Sequence, residues 1–260
     1  MNRKEQIQFL ITILLGELPA YREQAAQFPE DEYSQRRLLR SLMNVRPPMP
    51  LRKDFLEIQD ALLSAEREEK GVIDVEGLPG SSADPRLILW QGDITKLKVD
   101  AIVDADNSAL LGCFYPCHGC IDNAIHSAAG LQLRDECNRI MEAQGYPEPS
   151  GQAKLTKGYN LPARYVLHTV GPIVQGQVTQ ENRDDLASCY RSCLSLAAEH
   201  KLATVAFCCI STGEYRFPSR EAAEIAVRTV KRFLNQKTSI RKVIFNVFKD
   251  IDAEIYRELL

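Results

Sequence analysis

The chain lacks both an excess of basic residues and any long apolar run. Its 32 Lys and Arg residues are outnumbered by 35 Asp and Glu residues, which gives a net charge of −3. We therefore expect neither a nucleic-acid partner nor an anionic membrane, and we expect any bound phosphate to be held by backbone N–H groups and helix termini. No segment approaches the roughly 18 apolar residues of a membrane span.

Cysteine is too scarce for a disulfide scaffold, because only 8 occur in 260 residues. Three of them cluster around one histidine, and Cys208 and Cys209 lie in an apolar run where strand alternation turns neighbours to opposite faces. This distribution predicts a reducing compartment and hence a cytoplasmic protein. For the apolar residues 9–15 a signal peptide is the alternative, but flanking Glu5 and Glu17 favour an amphipathic helix.

Hydrophobic spacing divides the chain into two parts. Residues 1–70 are predicted to form a helical N-terminal extension, and residues 71–85, rich in Gly, Ser, Asp and Pro, a linker or surface loop. In residues 86–260 the predicted strands are 87–90, 101–103, 153–156, 165–169, 205–210 and 242–247, and the predicted helices are 119–129, 131–144, 183–200, 220–234 and 250–260. This alternation predicts a mixed, largely parallel sheet covered on both faces, with ligands bound beyond the carboxyl ends of the strands.

One short segment contains four potential metal ligands, which are Cys113, Cys117, His118 and Cys120, and Asp122 follows them closely. Thiolates and imidazole suit Zn²⁺, and three protein ligands leave a fourth position open for water or substrate. A carboxylate beside such a site is placed to position or deprotonate that water. The segment therefore predicts a catalytic metal in a loop, with a metal-free Cys-rich loop as the alternative.

A series of motifs in the second part resembles the macrodomain family. In the family's order, across residues 86–250, the motifs are GDIT at 92–95, VDAIV at 99–103, NS at 107–108, DNAIH at 122–126, AAG at 128–130, GQAK at 151–154, GYNLP at 158–162, HTVGP at 168–172 and ISTG at 210–213. The Cys/His segment resembles that of the zinc-containing microbial branch, whose members carry a helical N-terminal extension. The resemblance implies a three-layer α/β/α fold.

The resemblance also implies an ADP-ribose site. Asp93 would accept a hydrogen bond from the adenine amino group, and Ile94 would supply a neighbouring backbone donor and an apolar contact. The diphosphate would bind to an anion nest formed by Ser211, Thr212, Gly213, Glu214 and Tyr215. Asp93 has an alternative role in capping a turn, and Tyr215 and Phe217 are alternatives for an aromatic contact with the distal ribose.

Two residues would act at the other end of the ligand. Asn107 would hydrogen-bond the distal ribose hydroxyls, and Asp122 would lie near the scissile anomeric carbon and assist proton movement. Asp122 has a compatible second role near a helix N-terminus, where the macrodipole favours negative charge. His126 and His168 are expected to be packed, capping or structural residues rather than ligands.

For Zn²⁺ we favour Cys113, His118 and Cys120 as the ligands. His118 and Cys120 are close enough to share one edge of the loop, and Cys113 can fold back across the turn at Pro116. Cys117 is adjacent to His118 and is the rival ligand, since binding by all four residues would give a closed structural site. The preference for the open site rests mostly on the family resemblance.

The resulting hypothesis is a zinc-dependent hydrolase that removes mono-ADP-ribose from protein side chains and releases ADP-ribose. Members of the branch are linked to sirtuin-like ADP-ribosyltransferases and lipoyl-carrier proteins, which suggests a modified lipoyl-carrier protein as partner. The alternatives are a weak or inactive ADP-ribose reader with a structural zinc, and a structural zinc module in which the extension mediates interactions.

The segment after the second predicted strand departs from the family pattern. Members of the branch carry Asn-Ala-Ala-Asn there, whereas this chain has Asp104-Ala105-Asp106-Asn107. A charge a few ångströms from a phosphate costs on the order of 1–4 kcal/mol. Either Asp104 and Asp106 face solvent or cap neighbouring N–H groups, or they reduce affinity or activity.

Overall fold

A six-stranded sheet is the centre of the second part of the chain in the computed structural model, which describes residues 1–260. The strands of the chain are β1 Ile73–Asp74, β2 Leu87–Gln91, β3 Leu97–Lys98, β4 Ala101–Ala105, β5 Ala153–Lys157, β6 Tyr165–Thr169, β7 Thr204–Phe207 and β8 Lys242–Val247. The order in the large sheet is β2-β8-β7-β4-β6-β5, and only the β5–β6 pair is antiparallel. The mixed, largely parallel sheet is therefore confirmed.

Helices flank this sheet and form the N-terminal extension. They are α1 Arg3–Glu17, α2 Arg22–Ala25, α3 Glu32–Val45, α4 Lys53–Lys70, α5 Ile121–Ala129, α6 Leu131–Gln144, α7 Gln180–Glu199, α8 Ser219–Leu234 and α9 Asp250–Leu259. Helices α7, α8 and α9 pack in sequence along the sheet from β5 and β6 to β2 and β8, and α5 and α6 pack together against β4 and β5. No helix is both long enough and apolar enough to cross a membrane.

The main core lies between the sheet and these helices and contains 46 buried residues. Every residue of β7 is buried, as expected for a central strand of a parallel sheet covered on both faces. The prediction of a strand through residue 210 is wrong, because the chain leaves the sheet after Phe207. Four residues later Ser211 has φ +64°, a left-handed conformation that no strand contains.

The extension has a smaller core of its own, to which α1, α3 and α4 contribute. Helix α1 contains the apolar residues 9–15 and begins with a capping box between Asn2 and Glu5. Leu131, the first residue of α6, belongs to this smaller core. The extension therefore packs directly on the α/β part.

The segment 71–85 is more than a surface loop. Strand β1 pairs in parallel with β3, with Ile73 opposite Leu97, and Val75 is part of the main core. The sequence predicts neither of these short strands, because two residues are too few to show the alternation of apolar and polar residues that identifies a strand. The division of the chain at residues 70 and 85 stays a prediction.

Arg134 of α6 connects the two parts through its guanidinium group. Its Nε donates to the carbonyl oxygen of Leu111 at 2.6 Å, and its Nη1 donates to main-chain carbonyls at the C-terminal end of α3, which are those of Met43, Asn44 and Arg46. Its guanidinium also lies 4.3 Å from the centre of the Phe114 ring. The buried guanidinium therefore supplies hydrogen bonds to carbonyl groups at a helix end and in a loop, where no helical N–H group is available.

We predict that Arg134→Ala lowers the free energy of unfolding by about 2–4 kcal/mol, because the carbonyls lose a charged donor inside the protein. Urea denaturation measures the difference. Arg139→Ala is the matched control, since Arg139 is on the same helix with an exposed side chain. Equal stability of the two variants would contradict the assigned role of Arg134.

Candidate functional site

A cleft of about 820 Å³ opens at the carboxyl ends of β2, β4, β7 and β8. Its volume is in the range of roughly 300–1,000 Å³ that is usual for ligand pockets. The lining includes all the residues predicted as ligand contacts, catalytic groups or metal ligands, namely Asp93, Ile94, Asn107, Cys113, His118, Cys120, Asp122, Ser211, Thr212, Gly213, Glu214 and Tyr215. Segments far apart in the chain therefore meet in one cavity, as parallel strands dictate.

The loop between β4 and α5, here called the Cys/His loop, brings together three of its four potential metal ligands. The ligand atoms of Cys113, His118 and Cys120 lie within 4.8 Å of one another. All three side chains fit Zn²⁺, because the thiols are free and the buried His118 Nδ1 has no hydrogen-bond partner.

Cys117 is turned away from this group. Its φ of +51° directs the side chain towards α3, where Sγ lies 3.3 Å from Ser41 Oγ and 3.6 Å from the carbonyl oxygen of Arg37. A closed site with all four ligands therefore requires a rearrangement of the loop. Three protein ligands leave room for a fourth, exogenous one.

Cys120 also caps the N-terminus of α5. Its Sγ accepts a hydrogen bond from the backbone N–H of Asn123 at 3.4 Å. Burial raises the pKa of the Cys120 thiol to about 12. A cation on this sulfur would reverse that shift, because a metal ion holds a thiol in its deprotonated form.

Asp122 lies in the first turn of α5 beside Asn107. The two side chains approach to 3.5 Å between Asn107 Nδ2 and Asp122 Oδ2, and Asn107 Oδ1 accepts the backbone N–H of Ala109. Asp122 is buried, and its Oδ1 has no hydrogen-bond partner. Burial, followed by the charge of Asp106, raises the pKa of Asp122 well above its ordinary value. A carboxyl group in this environment is suited to proton transfer.

Asp93 caps a turn, as the alternative interpretation predicts. Its Oδ1 accepts hydrogen bonds from the backbone N–H of Thr95 at 3.0 Å and from Thr95 Oγ1 at 2.7 Å. Both bonds use the same oxygen, so that Oδ2 is left for a ligand. Ile94 is buried in the main core and also lines the cleft.

The loop after β7 contains unpaired backbone N–H groups, which an anion nest requires, although the N–H of Thr212 donates to the carbonyl oxygen of Cys209 at 3.4 Å. The backbone N–H groups of Gly213, Glu214 and Tyr215 donate to no other group of the protein. Phe217 belongs to the main core, which leaves Tyr215 as the aromatic residue of this loop in the cleft. The loop meets the Cys/His loop where Glu214 Oε1 lies 3.7 Å from His118 Nε2.

Residues of the extension hold the Cys/His loop from outside. Arg40 Nη2 donates to Asn123 Oδ1 at 2.7 Å, and Asn44 Oδ1 accepts the backbone N–H of Cys117 at 2.9 Å. Asn123 in turn donates to the carbonyl oxygen of Tyr115 at 3.0 Å. Sequence reasoning missed Arg40 and Asn44, because nothing local distinguishes them from other polar residues of a helix.

Asp104 and Asp106 do not face solvent, so that this alternative is wrong, whereas the alternative of capping a neighbouring N–H group holds for Asp106. Both are buried at the end of β4, although Asp106 Oδ1 accepts the backbone N–H of Asn107 at 2.9 Å as a capping group. Burial raises the pKa of Asp104 well above its ordinary value and that of Asp106 to about 7. His168 is packed beside them, with Nδ1 3.1 Å from Asp106 Oδ2. Their effect on activity stays a prediction.

Comparisons with known proteins agree with this architecture. The Macro domain family model matches residues 103–226. The chain is 50% identical to a protein-ADP-ribose hydrolase of Treponema medium, with 100% of both chains covered. It is 52% identical to a protein-ADP-ribose hydrolase of Staphylococcus aureus, over 85% of this chain and 83% of that one. The Trypanosoma brucei macrodomain in complex with ADP-ribose is 32% identical with a TM-score of 0.66, and 84% of this chain and 94% of that one are covered.

The fold and the cleft define an α/β protein that presents unpaired backbone N–H groups and a buried carboxyl group in one cavity at the carboxyl ends of its strands. Within this class the chain belongs to the macrodomain family. Its place in the zinc-containing branch stays a prediction.

We predict that Arg40→Ala loosens the Cys/His loop without unfolding the protein. Loss of a hydrogen bond from a charged donor, about 1.5 kcal/mol, corresponds to a roughly tenfold faster amide exchange. Hydrogen exchange of residues 113–123 measures the effect, with β6 and β8 as internal references. Arg37→Ala is the control, since its side chain is exposed on the same helix; equal exchange in both variants would refute the coupling.

Proposed function

We propose that this chain hydrolyses the bond between ADP-ribose and a modified protein side chain and releases ADP-ribose. The observation that carries the proposal is the three-ligand group of Cys113, His118 and Cys120 in the same cleft as Asp122. The curated relatives in Treponema medium and Staphylococcus aureus bear the name protein-ADP-ribose hydrolase, and the first of them aligns along the whole chain. Their names support the same reaction here.

ADP-ribose would lie along the cleft with its adenine at Asp93. Oδ2 of Asp93 would accept the adenine amino group, and the backbone of Ile94 would lie beside the ring. The unpaired N–H groups of 213–215 would bind the diphosphate, so that no lysine or arginine is needed. Asn107 would then contact the distal ribose, next to Asp122.

Zn²⁺ on Cys113, His118 and Cys120 would supply Lewis acidity and a bound water of lowered pKa. Asp122 would hold or transfer the proton that moves when the bond to the anomeric carbon breaks, since its pKa is raised. Asn107 would orient both the carboxyl group and the ribose. The enclosing cleft would limit water around a transition state with oxocarbenium-like character.

A reader that binds ADP-ribose without turnover is the second candidate function. The buried Asp104 and Asp106 favour it, because any negative charge that these carboxyl groups retain behind the ribose and diphosphate sites opposes an anionic ligand. Both candidates use the same cleft, so that only turnover separates them. For the hydrolase, we expect the substrate to be a mono-ADP-ribosylated protein in the cytoplasm. A lipoyl-carrier protein modified by a sirtuin-like transferase is the candidate for that substrate.

We predict that Cys120→Ser lowers ADP-ribose release by at least about 100-fold, while the affinity for free ADP-ribose changes little. The assay follows release from a mono-ADP-ribosylated protein, with zinc-loaded and chelator-treated enzyme side by side. Release that disappears on chelation and returns with zinc supports the metallohydrolase. Equal release with and without metal contradicts the zinc dependence, and binding without release in either sample favours the reader.

We predict that Asp93→Asn weakens ADP-ribose binding about tenfold, because the amide can cap the turn but is a poorer acceptor for the adenine amino group. Calorimetric titration measures the affinity, and ribose 5-phosphate serves as a ligand that lacks adenine. Affinity for ribose 5-phosphate should stay the same. A parallel loss for both ligands would place the role of Asp93 in the turn alone.

A further inference from the structure

A second group of potential ligands lies behind the cleft, away from the three-ligand group of the Cys/His loop. Asp104 and Asp106 come from the end of β4, His126 from α5 and His168 from β6. One ligand atom from each of these four buried side chains lies within 4.8 Å of the others. Three elements therefore converge on one point inside the protein.

Several of these polar atoms have no partner. Neither carboxylate oxygen of Asp104 and neither ring nitrogen of His126 makes a hydrogen bond, although the side chains are 0% and 3% exposed. His126 Nε2 lies 3.8 Å from Asp104 Oδ2, and His168 Nδ1 lies 4.0 Å from the same oxygen. These distances exceed those of hydrogen bonds. Unpaired buried polar groups are costly, and here they converge on a common centre.

No side-chain cation of the protein is hydrogen-bonded to this centre. Arg134 is the nearby candidate, but its Nε and Nη1 donate to main-chain carbonyls of the Cys/His loop and of the end of α3. A divalent cation would balance two carboxylates, and neutral imidazoles would complete its coordination. Such a set carries no net charge, which burial requires.

We propose that Asp104, Asp106, His126 and His168 bind one Zn²⁺ ion in a closed site separate from the Cys/His loop. Imidazole nitrogens and carboxylate oxygens are ligands that Zn²⁺ uses. Tetrahedral coordination at about 2.0–2.1 Å places neighbouring ligand atoms roughly 3.3 Å apart. Three of the present separations, 3.1, 3.8 and 4.0 Å, are close to that value, and the others lie within 4.8 Å.

The surroundings of His168 support this role. Its Nε2 lies 2.9 Å from Thr156 Oγ1, so that an Nε2–H donor there leaves the Nδ1 lone pair directed at the carboxylates. Metal-binding histidines commonly use their second nitrogen in such a bond. Cys137 Sγ lies 3.7 Å from Nε2, on the opposite side of the ring from Asp106. Asp106 also lines the cleft, so that the inner group adjoins it.

The competing explanation is that Asp104 is a buried neutral carboxylic acid with no ligand. The two explanations predict different results for Asp104→Asn. If Asp104 is a neutral acid, the amide replaces it with little change in shape; if Asp104 is an anionic metal ligand, the variant loses that ligand and binds the metal more weakly. The inner site is also adjacent to the cleft, because Asp122 Oδ1 in the cleft lies 3.6 Å from His126 Nε2. A cation bound here would offset the two carboxylates behind the ligand site.

The test uses Co²⁺ as the probe in the full chain carrying Cys113→Ser and Cys120→Ser, which removes both thiolates of the outer group. Equilibrium dialysis with metal analysis gives the stoichiometry. Visible spectra report tetrahedral Co²⁺, and thiolate ligation adds a near-ultraviolet charge-transfer band. We expect one Co²⁺ per chain with visible bands and no thiolate band. No measurement depends on hydrolase activity, so that failure of the proposed function leaves the result unaffected.

Adding Asp104→Asn and Asp106→Asn to this double-serine protein should weaken Co²⁺ binding by at least about 100-fold. Loss of a residue that only hydrogen-bonds to a ligand costs roughly 10–100-fold. Asp184→Asn, at an exposed carboxylate on α7, is the control for the single variant Asp104→Asn, since each removes one carboxylate. Circular dichroism verifies the fold, and the single variant Asp104→Asn serves if the combination unfolds. Equal Co²⁺ uptake with and without these carboxylates, no uptake in either protein, or a thiolate band would overturn the proposal.

Discussion

The guanidinium of Arg134 donates hydrogen bonds to carbonyl groups of both the extension and the Cys/His loop. This places the C-terminal end of α3 against the loop, where Asn44 and Arg40 then reach Cys117 and Asn123. The loop has no regular secondary structure between β4 and α5, so that its geometry depends on these contacts. The extension is therefore structurally part of the candidate site, although it contributes none of the three proposed zinc ligands.

Charge balance is the second constraint on the site. Asp104, Asp106 and Asp122 are buried close together, and burial lowers the pKa of His168 to about 4, which leaves this histidine without positive charge. The structure must therefore hold protons or a cation among these carboxyl groups. The residues of the Cys/His loop and of the inner group would each hold one zinc ion, and Asp122 Oδ1 lies 3.6 Å from His126 Nε2 of the inner group. Two such cations would make a negatively charged pocket suitable for a diphosphate.

Most elements of the α/β part could be predicted from local pattern. Strand β8 and helix α6 have the predicted bounds, because a continuous apolar run and a long 3.6-residue period are strong signals. The prediction fails at Cys208–Ile210, where an equally apolar run leaves the sheet to form the loop of the cleft. The β1–β3 pair was missed, because its stability comes from pairing across the chain rather than from its own sequence.

Local sequence was enough to identify which residues could serve as thiolate, imidazole and carboxylate ligands, and which segments become strands that bring them to one sheet edge. Tertiary structure alone decided that Cys117 turns to α3, that Arg40 supports Asn123, and that Asp104 meets His126 and His168. The physical reason is the distance along the chain over which each kind of interaction acts. Helix and strand periods arise from neighbouring residues, whereas these contacts join residues tens of positions apart and exist only after the helices pack on the sheet.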